Sequence, residues 1–271
     1  MNKIKTALIS VSDKKNLKPL LSILKKNKVK IISSGGTYQK IKKLKFDCLE
    51  VSDFTNSPEI LEGRVKTLHP KIHAGILNKR NNKSHLKDLR CNNFENIDLI
   101  VVNFYPFENI LKQTTNNNVI IENIDVGGPT MARSAAKNYK YVTVVTSSNQ
   151  YDELIEELDK NKGSTSLKFR EKLSRIAFTE TAYYDSIISN YFNEITNTHF
   201  PRKKVFYGNL IEKLRYGENP HQSSAIYSKN FNGDLNQLHG KKLSYNNYND
   251  IFTALTISKS LPQNKGTVIV K

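Results

Sequence analysis

The sequence lacks the features of a membrane or secreted protein. Its 271 residues contain no apolar run near 20 residues, so no transmembrane helix is expected. The first residues lead directly into a strand pattern, and no signal peptide is expected there. Only two cysteines are present, Cys48 and Cys91, and they do not suggest a disulfide scaffold. We therefore expect a cytoplasmic protein with no membrane partner, long enough for one or two domains.

Acidic residues are also scarce. The chain has 25 Asp and Glu against 42 Lys and Arg, which gives a formal net charge of +17. Such a charge is typical of nucleic-acid-binding proteins. However, the lysines are spread along the chain, and no zinc-finger, KH or RNP pattern accompanies them. We expect no specific nucleic-acid partner, and nucleic-acid binding stays an alternative that would require binding at physiological salt.

Glycine is infrequent, yet two Gly-Gly pairs lie where a strand pattern gives way to a helix pattern. The first lies in residues 34–37 (SGGT), between a strand predicted over 29–33 and a helix to about Leu44. The second follows Asp125 and opens a helix that contains Lys137. Free N–H groups at the start of a helix bind anions, and glycine allows a close backbone approach. Both turns are therefore candidate binding sites, although either could be a plain structural turn.

The other patterns of the first 200 residues alternate between strand and helix. Such alternation predicts a layered α/β domain with a parallel sheet. An amphipathic helix through Leu17, Leu20, Leu21 and Leu24 follows the first strand. The predicted strands are 5–11, 29–33, 47–51, 97–102 and 141–146, a one-turn helix is predicted over 56–61, and helices cover 151–192 with a break near 162–164.

Residues 63–75 are too polar and too broken for a regular element. Arg64, Lys66 and Thr67 suit an anionic ligand. The spacing of His69 and His73 raises a metal-site alternative, but Pro70 argues against one helix face carrying both. We expect no metal. Tyr105 follows the apolar strand 97–102, and residues at the carboxyl end of such strands line ligand crevices.

The pattern changes after about residue 200. A loop-like stretch rich in functional groups covers 214–222, a short strand is predicted over 243–247, a helix from Asp250 and a strand over 267–270. This layout is typical of the beginning of a second domain. We therefore expect domains over 1–200 and 201–271, the second of them incomplete.

Eight motifs, taken together, closely resemble the bifunctional purine-biosynthesis family AICAR formyltransferase/IMP cyclohydrolase. They occur in the family's order and at its spacing, and they cover essentially the whole chain. The motifs are SVSDK (10–14), SGGT (34–37), GRVKTLHP (63–70), NFYPF (103–107), DVGGP (125–129), AAKN (135–138), RYGENPHQ (215–222) and LSYNN (243–247).

The resemblance implies a fold and a division of activities. Residues 1–200 would form a three-layer α/β domain similar to methylglyoxal synthase that carries the cyclohydrolase. Residues 201–271 would begin a cytidine-deaminase-like α/β domain, the formyltransferase, whose co-substrate is 10-formyl-tetrahydrofolate. In the family a Lys-His pair follows a strand like 266–270, so Lys271 would be that lysine. We accordingly expect no formyl transfer from the chain as given, and a weakened form of the family's homodimer.

The resemblance also implies a reaction and its residues. The cyclohydrolase closes a formamido-imidazole-carboxamide ribotide to IMP and water, and needs no cofactor. The implied catalytic group is Lys66, Tyr105, Asp125 and Lys137, with Lys137 favoured for proton transfer, Asp125 orienting it, and Lys66 and Tyr105 stabilising the oxyanion. The implied substrate-binding residues are Ser12, Asp13, Lys14, Ser34, Gly35, Gly36, Thr37, Arg64, Val65, Thr67, Asn103, Gly127, Gly128, Arg215 and Tyr216. A non-catalytic phosphate-binding remnant of the same fold is the alternative.

Overall fold

The computed structural model describes residues 1–229, 237–263 and 265–270. The chain divides into two compact units, Met1–His199 and Phe200–Lys271. The strands of the first unit are β1 Asn2–Lys3, β2 Thr6–Val11, β3 Lys30–Ser33, β4 Leu49–Glu50, β5 Leu99–Asn103, β6 Thr143–Val145 and β7 Ser164–Thr165. Its helices are α1 Leu17–Lys26, α2 Gly35–Lys43, α3 Val51–Thr55, α4 Pro70–Leu77, α5 Lys83–Cys91, α6 Phe107–Gln113, α7 Asn117–Glu122, α8 Gly127–Lys137, α9 Tyr151–Lys160 and α10 Leu167–Ile195.

A parallel five-stranded sheet forms the centre of the first unit, with the strand order β4-β3-β2-β5-β6. The sheet carries helices on both faces, so its strands are buried on both sides and read as continuous apolar runs. Residues Ala7, Leu8 and Ile9 of β2 are fully buried, as is most of β5. The predicted α/β class with a parallel sheet is confirmed.

The helices pack through faces that their sequences predict. The apolar side chains of α1 recur at helical spacing and are buried, and α1 contacts α9. On α8, small residues such as Ala132, Ala135 and Ala136 are fully buried and allow close contact with α4 and α10. Helix α8 therefore lies between the sheet and two other helices, which fixes the position of its N-terminus.

Two predictions for the loop before α4 were wrong. Residues 56–59 are not helical, because the helix comes earlier as α3 and ends at Asn56 in the left-handed region (φ 57°). A short 3-10 turn, Leu61–Gly63, follows. The stretch 63–75 is not irregular throughout, because α4 begins at Pro70 with His69 as its cap. Proline suits the first position of a helix, where its missing N–H costs nothing.

The second unit contains β8 Asn209–Lys213, β9 Ala225–Ser228 and α11 Tyr245–Ser260. Strands β8 and β9 pair antiparallel. The predicted strand over 243–247 was wrong, because Ser244 and Asn247 form a reciprocal cap that starts α11. Among the described residues, 267–270 form no strand, contrary to prediction, and Lys271 lies outside them. No described helix combines the length and the apolar character needed to cross a bilayer.

The buried side chain of Arg170 connects three segments of the first unit through hydrogen bonds. It is 2% exposed, and its guanidinium donates to the backbone oxygens of Tyr139 (2.8 Å), Lys140 (3.0 Å) and Thr165. We expect Arg170→Met to lower the free energy of unfolding by about 2–4 kcal/mol, because several buried carbonyls lose their donors. Urea denaturation measures the change. Arg175→Met, on the exposed face of the same helix, is the control, and equal losses for both variants would contradict the assignment.

Candidate active site

A cavity of about 540 Å³ opens at the carboxyl edge of the parallel sheet. Its wall comes from the segments that follow β2, β3 and β5, from the loop before α4, and from the start of α8. The lining residues are Ser10, Val11, Ser12, Lys14, Ser34, Gly36, Thr37, Glu62, Gly63, Arg64, Lys66, Thr67, Val102, Asn103, Tyr105, Ile121, Glu122, Ile124, Asp125, Val126, Gly127, Gly128 and Met131. The structure thus brings the first glycine turn, the basic loop and the second glycine turn to one place.

One side of the cavity is suited to an anion. Ser34 occupies the N-cap position of α2 without a side-chain capping bond, is 5% exposed, and its hydroxyl has no hydrogen-bond partner. Two ammonium groups flank the same helix start. Lys14 Nζ lies 3.7 Å from where a Cβ on Gly36 would be, and Lys66 Nζ lies 3.6 Å from the corresponding point on Gly35. Free N–H groups, a buried hydroxyl and two cations together match the chemistry of a phosphate.

The ammonium group of Lys66 has a carboxylate neighbour that the sequence did not indicate. Glu59 Oε1 lies 3.7 Å from Lys66 Nζ. Glu59 also occupies the space beside Gly63, where a Cβ would lie 2.4 Å from Oε1, and Gly63 has a φ of +93°. The positive φ favours glycine at position 63, whereas the Glu59 carboxylate is the end of a flexible side chain that can move. Nothing in its sequence context distinguishes Glu59 from the other acidic residues, so the sequence analysis did not predict it.

The opposite side of the cavity is built around Asp125. Its Oδ1 accepts the N–H of Gly128 (2.9 Å). Burial raises the pKa of Asp125, whereas the Gly128 N–H, the nearby backbone of Tyr105 and the positive charge of Lys66 counteract part of that effect. The phenol ring of Tyr105 is 42% exposed. A carboxyl with a raised pKa is a stronger base than an ordinary aspartate, which suits it to proton transfer.

The second glycine pair gives room to protein side chains. A Cβ on Gly127 would lie 2.6 Å from Thr67 Oγ1, and one on Gly128 would lie 2.4 Å from Asp125 Oδ2. The sequence interpretation was that these glycines admit a ligand. In the structure they admit Thr67, which is buried, and Asp125, so they fix two cavity residues against the start of α8.

Two predicted binding residues hold the cavity wall together. The Asn103 side chain accepts the N–H groups of Ser12 (2.6 Å) and Asp13 (3.0 Å) and donates to the Asp13 carbonyl (3.0 Å). The Thr37 hydroxyl accepts the N–H of Val11 (3.1 Å) and donates to the carbonyl of the same residue (2.9 Å). Both side chains line the cavity, but their polar atoms form hydrogen bonds with the last residue of β2 and with the loop after it.

Arg64 lies at the cavity mouth. Its guanidinium forms a two-point ion pair with Glu122 at the end of α7, which raises the pKa of Arg64 and lowers that of Glu122. Both side chains are largely exposed, so water screens the pair and its contribution to stability is small. An incoming anion can compete with Glu122 for Arg64. Glu122 was not predicted.

Three other predicted binding residues of the first unit, Asp13, Gly35 and Val65, are not among those that line the cavity. Asp13 is exposed, and its Oδ1 accepts the N–H of Lys15 (3.1 Å). The backbone N–H and C=O of Val65 pair with Ile60 across a narrow turn. The Asp13 carboxylate bonds to its own loop and the backbone of Val65 is paired with Ile60, so neither group reaches the cavity.

Lys137 is likewise outside the cavity. It is exposed at the last position of α8, ten residues after Gly127, which corresponds to about 15 Å along the helix axis. This geometry gives no support to the expected proton transfer by Lys137. Arg215 and Tyr216 belong to the second unit, where the Arg215 guanidinium stacks over the Tyr216 ring at 5.3 Å.

The histidines that raised the metal alternative have structural contacts. His69 Nδ1 accepts the N–H of Lys71 (3.1 Å) and caps α4. His73 Nδ1 lies 3.1 Å from Ser134 Oγ, and burial lowers the pKa of His73. Among the described residues, no three His, Cys, Asp or Glu side chains form a group that could hold a metal ion.

Comparison with known families matches the chain in two consecutive parts. The model of MGS-like domains matches residues 16–130, and the model described as AICARFT/IMPCHase bienzyme matches residues 135–271. The chain belongs to the AICARFT/IMPCHase bienzyme family. The MGS-like match confirms the fold expected for the first unit. The family combines two activities, and the site described above lies entirely in the first unit.

Relatives and a solved structure agree with this placement. The bifunctional purine biosynthesis protein PurH of Thermoanaerobacter sp. (strain X514) is 45% identical over 264 residues, which are 96% of this chain and 52% of the relative. PurH of Agrobacterium fabrum is 43% identical and covers 99% of this chain and 51% of the relative. The chain thus spans about half the length of these curated relatives. The crystal structure of ForH aligns with a TM-score of 0.62 and 29% identity, over 70% of this chain and 99% of ForH.

The close contact between Gly128 and Asp125 predicts a specific loss. We expect Gly128→Ala to lower the free energy of unfolding by about 1–2 kcal/mol, because the new methyl group displaces the carboxyl from the Gly128 N–H. Gly36→Ala is the control. Its Cβ would meet Lys14 Cε at an ordinary 3.5 Å, and alanine favours a helix, so its stability should be unchanged or slightly higher. Thermal or urea unfolding that ranks the two variants in the opposite order would contradict the geometry.

Proposed function

We propose that the first unit catalyses the ring closure of 5-formamido-imidazole-4-carboxamide ribotide to IMP and water. One observation carries the proposal. A single cavity is lined by the buried, unpartnered Ser34 hydroxyl, by Lys14 and Lys66 near the start of α2, and by the half-buried carboxyl of Asp125, whose neighbours include Lys66 and Tyr105. Anion binding and proton transfer are the two functions that this reaction requires.

The 5′-phosphate of the ribotide would bind at the start of α2. There the Ser34 hydroxyl, the free N–H groups of the helix and Lys14 all present positive or donor character. A phosphate oxygen at this point would give the buried hydroxyl the partner that it lacks. Arg64 at the mouth would exchange Glu122 for the ligand. The phosphate contacts hold the substrate alike in the ground and transition states.

The chemical step would occur beside Asp125. The carboxamide nitrogen attacks the formyl carbon of the same molecule and a C–N bond forms. The C–O bond of the former formyl group then breaks, and the oxygen leaves as water with the equivalent of one proton from the carboxamide nitrogen and one from the formamido nitrogen. Because both groups belong to one substrate, correct orientation supplies much of the acceleration. Asp125 would accept the proton from the attacking nitrogen, and Lys66 and Tyr105 would donate to the formyl oxygen as its charge develops. We assign proton transfer to Asp125, in place of the Lys137 expected from the resemblance.

The remaining properties of the family come to this chain only as proposals. We propose assembly as a homodimer, weaker than that of the longer relatives, and a location in the cytoplasm, and we expect no formyl transfer from 10-formyl-tetrahydrofolate by the chain as given. The cyclohydrolase proposal depends on none of them, because all of its proposed residues belong to the first unit.

The direct test is incubation of the purified 271-residue chain with the formylated ribotide while IMP is followed by its absorbance. We expect IMP to form in proportion to enzyme concentration. Ribotide binding by calorimetry without IMP formation would favour the non-catalytic remnant. If neither occurs with folded protein, the cavity has another ligand class. Binding to DNA or RNA that persists at physiological salt would support the nucleic-acid alternative.

Asp125→Asn tests the proton acceptor. We expect turnover to fall by about a hundredfold or more with KM little changed, because the amide keeps the shape but cannot accept the proton. Since burial raises the pKa of Asp125, wild-type turnover should begin to fall, as the pH decreases, above the usual range for an aspartate. Asp185→Asn, an exposed carboxylate on α10, is the control. Turnover by Asp125→Asn near the wild-type level would remove this residue from the mechanism.

Ser34→Ala tests the anion site. We expect KM for the ribotide to rise by about tenfold while kcat stays within about twofold, since a hydrogen bond to a charged group is lost in binding alone. The control is a substrate change. With the dephosphorylated riboside, the wild type and the variant should have the same kcat/KM. An equal penalty for both substrates would mean that Ser34 does not contact the phosphate.

A further inference from the structure

Asp125 is held by a residue far from it in sequence. The backbone N–H of Asp125 donates to Tyr184 Oη at 2.8 Å, and Tyr184 lies in the middle of α10. The same hydroxyl lies 3.4 Å from the carbonyl oxygen of Asn123, to which it can donate. The Tyr184 hydroxyl therefore accepts a hydrogen bond from Asp125 at one end of the turn before α8 and can donate one to Asn123 at the other end. No motif of the sequence indicated this contact.

The position of Tyr184 is itself fixed by packing. The residue is 6% exposed, and its ring contacts the rings of Phe104 (centroids 5.2 Å apart) and Phe107 (6.2 Å). Both phenylalanines follow β5 and flank Tyr105. Burial raises the pKa of Tyr184 to about 12, so the hydroxyl keeps its proton at neutral pH. The ring thus connects the Tyr105 segment to the Asp125 segment.

Tyr184 is not among the residues that line the cavity. It can affect the chemistry only through its neighbours. The carboxyl of Asp125 accepts the N–H of Gly128, and the backbone N–H of Asp125 donates to Tyr184 Oη, so two hydrogen bonds hold this residue. We propose that Tyr184 is a positioning residue that sets the orientation of the Asp125 carboxyl for proton transfer. This role rests on the proposed cyclohydrolase function.

Tyr191, on the same helix, has surroundings similar to those of Tyr184 and is a matched control. Tyr191 is also 6% exposed and contacts the ring of Phe107, with centroids 5.8 Å apart. Its hydroxyl lies 2.9 Å from Asn117 Oδ1, at the start of α7. A Tyr→Phe change at either position removes one buried hydroxyl and its hydrogen bond from the same aromatic cluster. Only the change at 184 removes an acceptor from Asp125.

Kinetics of Tyr184→Phe and Tyr191→Phe in the full chain test the proposal. We expect Tyr184→Phe to lower kcat by about tenfold or more with KM within about twofold, because a displaced reacting group loses its orientation. Tyr191→Phe should keep kcat within about twofold. Equal values of kcat for the two variants would overturn the proposal, whereas an inactive wild type would instead contradict the proposed function.

The coupling of the two residues gives a second criterion. If Tyr184 acts through Asp125, adding Tyr184→Phe to Asp125→Asn should lower kcat by less than about twofold further, because the orientation of a lost carboxylate no longer matters. A full, multiplicative loss in the double variant would mean that Tyr184 acts elsewhere and would overturn the proposal.

Amide hydrogen exchange provides a readout that needs no activity. Loss of the Tyr184 hydroxyl should speed exchange of the Asp125 amide by about tenfold or more, whereas Tyr191→Phe should leave that amide unchanged. Nuclear magnetic resonance of the ¹⁵N-labelled chain can follow this amide beside that of Gly128. An Asp125 amide that exchanges equally fast in the wild type and in Tyr184→Phe would overturn the proposal whatever the kinetics.

Discussion

The parallel pairing of β2 with β5 is the constraint on which the site depends. Its register places Val11 opposite Asn103, so both strands end at the same edge of the sheet. The Asn103 side chain then reaches across and binds the backbone of Ser12 and Asp13. The segments that follow β2 and β5 both start from this edge. Residues that are separated by about a hundred positions in sequence therefore meet around one cavity. A shift of either strand would separate the anion side of that cavity from Asp125.

Electrostatics at this edge is local, and the net charge of the chain does not explain it. Most of the basic residues lie on the surface, where water and salt screen them. Lys14 and Lys66 differ, because they flank the start of α2 beside a buried hydroxyl that has no partner. Across the cavity, burial raises the pKa of Asp125, and Lys66 counteracts part of that shift. A substrate with a phosphate at one end and a proton to lose at the other fits this arrangement.

The sequence predicted the class of the fold and most of the segments around the site, because apolar periodicity and glycine turns are local signals. It failed where tertiary contacts decide. Pro70 reads as a breaker, yet it begins α4 because His69 caps the helix. The role that the resemblance implies for Lys137 stays a prediction, and Lys137 lies at the end of α8 remote from the cavity. Glu59, Glu122 and Tyr184 contact site residues through the folded chain, and no spacing in the sequence indicates those contacts.

The SGGT motif (34–37) contains two hydroxyl side chains that differ in their hydrogen bonding. Ser34 and Thr37 stand three positions apart in the same turn, and both are buried hydroxyls that line the cavity. The Thr37 hydroxyl is used on both sides by the backbone of Val11, whereas that of Ser34 has no partner. A buried polar group without a partner is unfavourable unless a ligand supplies one. Thr37 thus belongs to the framework, whereas Ser34 has a free hydroxyl that we propose for ligand binding, a distinction that their shared motif does not contain.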